Sequence, residues 1–180
     1  MKSLYMAAIE PPSDLANAIR HLQEEFANLY GSAAALKPPV HITFSPPIHL
    51  DNGALQLYSG ALKEVSGRAA PMVLQLNGFG FFIKNKVVFI SVMPHLQLNT
   101  LHQDFESQWY NNHDLPTYRP HITIGYRNLD TATFKKIMKD YSARTFNSQF
   151  EVNAIHLWQH IEGRWNTIET MPFKTASSHF

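Results

Sequence analysis

The chain has 180 residues, 44% hydrophobic and 12% aromatic, enough apolar material for one domain or for two small lobes sharing a core. Charged residues make up 16%, and 15 Lys+Arg against 14 Asp+Glu leave a formal net charge of +1, which excludes a disordered polyelectrolyte and argues against a strongly basic duplex-binding module. No cysteine is present, so disulfide scaffolds, thiolate zinc sites and a Cys nucleophile are excluded, and the ten histidines become the residues to place.

Leu4 to Ile9 reads as a buried strand, ended by Pro11-Pro12. Ser13 is placed to cap a helix with Asp14 in its first turn, and Leu15, Ile19, Leu22, Phe26 and Leu29 form one apolar stripe that stops at Gly31. Val40 to Phe44 is a short strand between the proline pairs 38–39 and 46–47. Asp51 or Asn52 caps a second helix carrying Leu55, Tyr58, Leu62 and Val65, and Met72 to Leu76 is a strand. The pattern then starts again. Lys86 to Val92 is a strand, and Pro94 opens a helix with Leu98, Leu101, Phe105 and Trp109 on one face. Arg119 to Tyr126 is a strand, and Asp130 or Thr131 caps a helix with Phe134, Ile137, Met138 and Tyr141. Phe150 to Gln159 and Trp165 to Met171 are the final strands, separated by a turn at Glu162-Gly163.

The order β-α-β-α-β therefore occurs twice, and Tyr5, His41 and Met72 stand opposite Val88, His121 and Phe150 at offsets of 83, 80 and 78 residues. A period near half the chain, with no linker or low-complexity stretch between the halves, predicts a single domain over 1–180 built from lobe-forming repeats at about 1–84 and 85–180. The expected fold class is α+β, with two pseudo-symmetric βαβαβ lobes whose mixed or antiparallel sheets face a central cleft.

Each repeat carries one His-Ile-Thr strand: Pro39-Val40-His41-Ile42-Thr43-Phe44 and Pro120-His121-Ile122-Thr123-Ile124. With ten His and ten Thr in 180 residues, chance supplies about half a case of His-x-Thr, so the bare match means little. Equivalent places in the two repeats, with apolar residues on both sides of each Thr, give the pair its weight. Residues i and i+2 of a strand share a face, so His41 and Thr43 point one way while Ile42 and Phe44 anchor the core, and the same holds around His121 and Thr123. If the lobes face each other, both His-Thr pairs line one cleft. Two imidazoles titrating near neutrality can then divide proton work, one accepting from water or a hydroxyl and one donating to a leaving oxygen. The Thr hydroxyls can donate to nonbridging phosphate oxygens, and no metal is required. The expectation from the residues is a metal-independent site for a phosphoester, with a nucleotide- or RNA-end-binding module using the same cleft as the rival reading.

The paired motifs resemble the 2H phosphoesterase superfamily, which includes bacterial 2'-5' RNA ligase-like proteins and cyclic nucleotide phosphodiesterases. The resemblance covers nearly the whole chain. It implies catalytic roles for His41 and His121, phosphate-binding hydroxyls at Thr43 and Thr123, no cofactor, and action on a cyclic phosphodiester or a 2'-5' linkage in a nucleotide or RNA terminus. Bacterial ligase-like members often carry Arg five residues after the second His. Here Tyr126 holds that place and Arg127 follows, which offers a Tyr hydroxyl to the phosphate. Tyr118, three residues before His121, is a second substrate-binding candidate through base stacking.

Other signals are weaker. His156 and His160 share a strand face without a carboxylate placed to complete a metal site, and His49, His95, His102 and His113 read as solvated. Gly78-Phe79-Gly80-Phe81-Phe82 reads as a bulged hairpin with core aromatics, or as an aromatic platform for a base. Trp109, Trp158 and Trp165 read as core or interface. The apolar stretch before Glu10-Pro11-Pro12 is too short for a signal-peptide core, and Val87 to Met93 is far below a membrane span, so the chain is expected to act as a cytoplasmic monomer.

Overall fold

The computed structural model describes residues 2–110 and 117–174. Among these the chain order is β1 (Ser3–Ile9), α1 (Ser13–Tyr30), a 3-10 turn (Ala34–Leu36), β2 (Ile42–Leu50), α2 (Asn52–Ser66), β3 (Met72–Phe82), β4 (Val87–Val92), α3 (Leu96–Trp109), β5 (His121–Gly125), α4 (Thr131–Ser142), β6 (Asn147–Val152), β7 (Ala154–Ile161) and β8 (Arg164–Pro172). The strands form two four-stranded sheets, ordered β2-β1-β7-β8 and β5-β4-β3-β6, with antiparallel pairing throughout. The expected α+β architecture of two related sheets is present, in its antiparallel form.

The sheets do not divide the chain at residue 84. A short connection between β3 and β4 makes them a hairpin, so the last strand of the first repeat joins the sheet of the second. In return β7 and β8 lie against β1. The two sheets superimpose in order when β1, β2, β7 and β8 are matched with β4, β5, β3 and β6. Met72 on β3 therefore corresponds in sheet position to β7, not to Phe150 on β6.

The run expected as one strand over 150–159 is two strands broken at Asn153. Phe150, Val152 and Ala154 are buried in alternation, and then the phase changes to Ile155, Leu157 and Trp158 as the chain crosses to the other sheet. β2 runs on through Pro46 and Pro47, which are exposed; β2 is an edge strand, and prolines without a ladder donor are tolerated there. Ser13 lies inside α1 and makes no cap hydrogen bond, because Pro12 in extended conformation takes the cap position. Asp51 and Asp130 cap α2 and α4 as expected, their carboxylates accepting from the amides of Ala54 and Thr133 at 3.0 and 2.7 Å.

One core joins the sheets and helices. α1 packs on β5, α4 on β3, and α2 on β7 and β8. Close packing of α1 on β5 depends on Gly125: a Cβ there would stand 2.0 Å from the Phe26 ring. Gly125→Ala is expected to destabilise the fold by about 1–3 kcal/mol, read as a lower urea midpoint; an unchanged midpoint would mean that Phe26 is free to move. Among the described residues no helix is long and apolar enough to cross a membrane.

Candidate active site

The two edge strands β2 and β5 approach each other, and the two His-Thr pairs meet in one cleft between the sheets, a cavity of about 670 Å³ lined by His41, Thr43, His121 and Thr123. The strand alternation is as expected: Ile42, Phe44, Ile122 and Ile124 are all buried on the opposite faces.

The imidazoles are held in mirrored fashion. His41 Nδ1 lies 2.7 Å from the carbonyl oxygen of Pro39, and His121 Nδ1 lies 2.7 Å from that of Arg119, each two residues back along the chain. A carbonyl only accepts, so both Nδ1 atoms carry a proton and both Nε2 atoms are left with a lone pair when the ring is neutral. Each ring also rests against an aromatic from the strand two places over in its sheet. Trp158 of β7 meets His41 edge-on at 5.0 Å, and Phe82 of β3 meets His121 edge-on at 4.9 Å. Trp158 is fully buried, and its indole N–H donates to Glu10 Oε1 at 2.8 Å. Phe89 adds a second ring against His121, at 5.0 Å. Gly80 makes room for Phe89, since a Cβ there would come within 2.4 Å of that ring.

Burial lowers the pKa of both histidines below 6.5. For His41 the Pro39 carbonyl opposes that shift, the charge of His121 adds to it, Glu10 opposes it and Arg20 adds to it. For His121 the Arg119 carbonyl opposes the shift and the Arg119 guanidinium adds to it. The two rings therefore sense each other, and protonation of one disfavours protonation of the other.

Tyr126 lines the cleft, with the Arg127 guanidinium 5.2 Å from its ring centroid. Tyr118 does not line it. Its ring stacks on His102 at 3.7 Å and 6°, and its hydroxyl donates to the carbonyl of Thr43 at 3.2 Å. It borders a neighbouring cavity of about 480 Å³ that shares Thr43, Phe82 and His121 with the cleft. In this position Tyr118 ties the approach to β5 onto β2, and so sets one motif strand against the other.

His102, expected in solvent, is buried at 5% exposure. The spacing Leu98, Leu101, His102, Phe105 places it on the apolar stripe of α3, which is the signal that reading it as solvated passed over. His95 caps α3, its Nδ1 accepting from the amide of Leu98 at 3.3 Å, while His49 is exposed and His113 lies outside the described residues. His156 Nδ1 meets the Thr170 hydroxyl at 3.1 Å, and His160 packs edge-on against Trp165; His160 and Trp165 also line the cleft. Among the described residues no group of three His, Asp or Glu side chains is placed to hold a metal ion. Of the Gly78–Phe82 run, Gly78 takes φ +67° at a register shift in the β3–β4 pairing, Phe79 and Phe81 pack on Tyr141 and Phe134, and Phe82 faces the cleft. The run is thus the expected bulged hairpin, with Phe79 and Phe81 packed inward and Phe82 left on the cleft wall.

A family model described as the 2'-5' RNA ligase superfamily matches residues 11–164. The chain belongs to that superfamily. A protein of Oceanobacillus iheyensis named as a putative phosphoesterase is 26% identical over 160 residues, covering 87% of this chain and 88% of its own. One of Bacillus licheniformis, named in the same way, is 23% identical over 154 residues, covering 84% and 90%. Among solved structures, E. coli LigT in apo form superimposes with a TM-score of 0.71 at 18% identity over 97% of this chain and 99% of LigT. TT0787 of Thermus thermophilus does so with a TM-score of 0.69 at 16% identity, again over 97% and 99%. The superfamily membership and the fold expected from the paired motifs are met.

Proposed function

We propose that this superfamily member is a metal-independent phosphoesterase that opens a cyclic phosphodiester, such as a 2',3'-cyclic nucleotide or RNA end, or acts on a 2'-5' linkage. The observation that carries the reading is the mirrored pair of imidazoles, each with Nδ1 committed to a backbone carbonyl and Nε2 left for the cleft. In the forward step the neutral Nε2 of one histidine takes a proton from water as the water oxygen bonds to phosphorus. One bridging P–O bond breaks, and the protonated Nε2 of the other histidine delivers a proton to the departing ribose oxygen. Thr43 and Thr123 donate to the nonbridging oxygens, where charge gathers. The product is a nucleoside monophosphate, the protonation states of the two rings have exchanged, and solvent restores them. Phe82 and Trp165, on opposite sheets, offer the base its aromatic walls.

The test is turnover of a panel of 2',3'-cyclic nucleotides and 2'-5' dinucleotides in the presence of EDTA, with products separated by chromatography. Turnover of one class with EDTA present is the expected result. Tight binding of the panel without any product would overturn the catalytic reading in favour of a binding module.

A further inference from the structure

We infer that Lys37 and Arg127 form a second-phosphate subsite in the cleft, so that the preferred substrate carries another phosphate beside the one that reacts. This deepens the proposed function and rests on it for the identity of the reacting group.

The chain as a whole is almost neutral, at a formal +1. The cleft is not. Among the described residues, the side chains lining it that hold a fixed charge are Lys37 and Arg127, and no carboxylate lines it. Both cations are exposed, and neither has an ion-pair partner among the described residues. The reacting phosphate is already served by two imidazoles and two hydroxyls. One phosphodiester has a single negative charge, so a pair of unpaired cations in the same cavity calls for a further anion.

The backbone that carries this pair is fastened before any ligand arrives. Arg20 donates to the carbonyls of Ala35 and Pro38, at 3.4 and 2.7 Å, which pins the chain on both sides of Lys37. On the other side, Ser32 Oγ donates to the Tyr126 carbonyl at 2.7 Å, and Lys86 Nζ donates to the Leu129 carbonyl at 2.9 Å, so the segment bearing Arg127 is pinned at both ends. Arg127 and Asn128 both take positive φ, 66° and 53°, a conformation that L residues seldom adopt. The 3-10 turn Ala34–Leu36, with Lys37 as its C-cap, packs against β5, the strand that runs into Tyr126 and Arg127. The two cations thus stand on neighbouring, fastened segments at one border of the cleft. With the backbone already ordered, binding an anion has only the two side chains left to order, and guanidinium and ammonium groups are the usual phosphate partners.

A second phosphate comes from one of two sources: a 5'-phosphate on the same nucleotide, or the internucleotide phosphate of an RNA end. Three substrates separate them: a 2',3'-cyclic nucleotide with a free 5'-hydroxyl, the same nucleotide with a 5'-phosphate, and a dinucleotide with a 5'-hydroxyl and a terminal cyclic phosphate. At least one of the latter two is expected to show a KM about tenfold below that of the first, and raised salt should shrink the gap. Whichever shows it names the source. In Lys37→Gln and Arg127→Gln the gap is expected to close to about twofold through KM, with kcat retained. Equal KM for all three substrates, or a matching fall in kcat on all three in the variants, would overturn the subsite. If no cyclic substrate turns over, the cyclic-phosphodiester part of the proposed function fails by itself, and calorimetry then decides the subsite: a nucleoside 3',5'-bisphosphate should bind about tenfold tighter than the 3'-monophosphate, and equal affinities would overturn it.

Discussion

Replacement of either imidazole, as His41→Ala or His121→Ala, is expected to lower kcat by about a hundredfold to ten-thousandfold. Both rings lie half-buried at the cleft wall, so the variants should keep the wild-type circular dichroism and a cooperative urea transition. The double variant should fall little below the worse single one, because a base without its acid partner cannot complete the step. EDTA should leave the wild-type rate unchanged. Near-complete activity in either single variant would remove the paired-histidine mechanism.

Acid should weaken the fold through a different histidine. Burial pushes the pKa of His102 down from 6.5 to about 4, with the Phe44 carbonyl opposing that shift. The Glu106 carboxylate stands 3.5 Å from Nδ1, beyond a good hydrogen bond. Burial also raises the pKa of Glu106, which weakens the attraction its carboxylate can offer in acid. The unfolded chain takes up a proton at His102 near pH 6.5 while the folded chain resists until about pH 4, so this stability is present above 6.5 and is lost as pH falls through that window. The expected loss is about 3 kcal/mol. Urea midpoints for the wild type and His102→Phe at about pH 7 and about pH 4 should show a shallower fall in the variant. His41 and His121 contribute a loss of the same sign in both proteins, so the difference isolates His102. Equal falls would mean that His102 is protonated in the native state well above pH 4. Since His102 stacks on Tyr118, and Tyr118 holds the Thr43 carbonyl, the same acid range should also loosen the join between the motif strands.

What was legible in the sequence was local. The period of two around His41-Ile42-Thr43 and His121-Ile122-Thr123 determines which side chains share a face, and no distant contact enters that inference. The helix stripes and the caps at Asp51 and Asp130 are local in the same sense. What escaped depends on strands far apart in the chain. No spacing shows that β7 lies beside β1, so none shows Trp158 under His41. Nor does a duplicated element order reveal that β3 joins the other sheet, because a hairpin between repeats and a boundary between repeats look alike in one dimension. His102 was legible in principle. It sits on the same stripe as Leu98 and Phe105, and its residue type outweighed its position. Tyr118 was chosen for the right neighbourhood, but its hydroxyl is engaged by the backbone of the opposite motif.

The proposed mechanism requires one imidazole to be neutral and the other protonated when substrate arrives. The profile of kcat/KM against pH, recorded on the wild-type protein with EDTA present, reports those protonation states in the free enzyme. Both imidazoles have pKa values lowered by burial from 6.5. A bell with two limbs and a maximum on the acid side of pH 6.5 is therefore expected. A profile flat from about pH 5 to about pH 8, or a rate that vanishes on addition of EDTA, would contradict it.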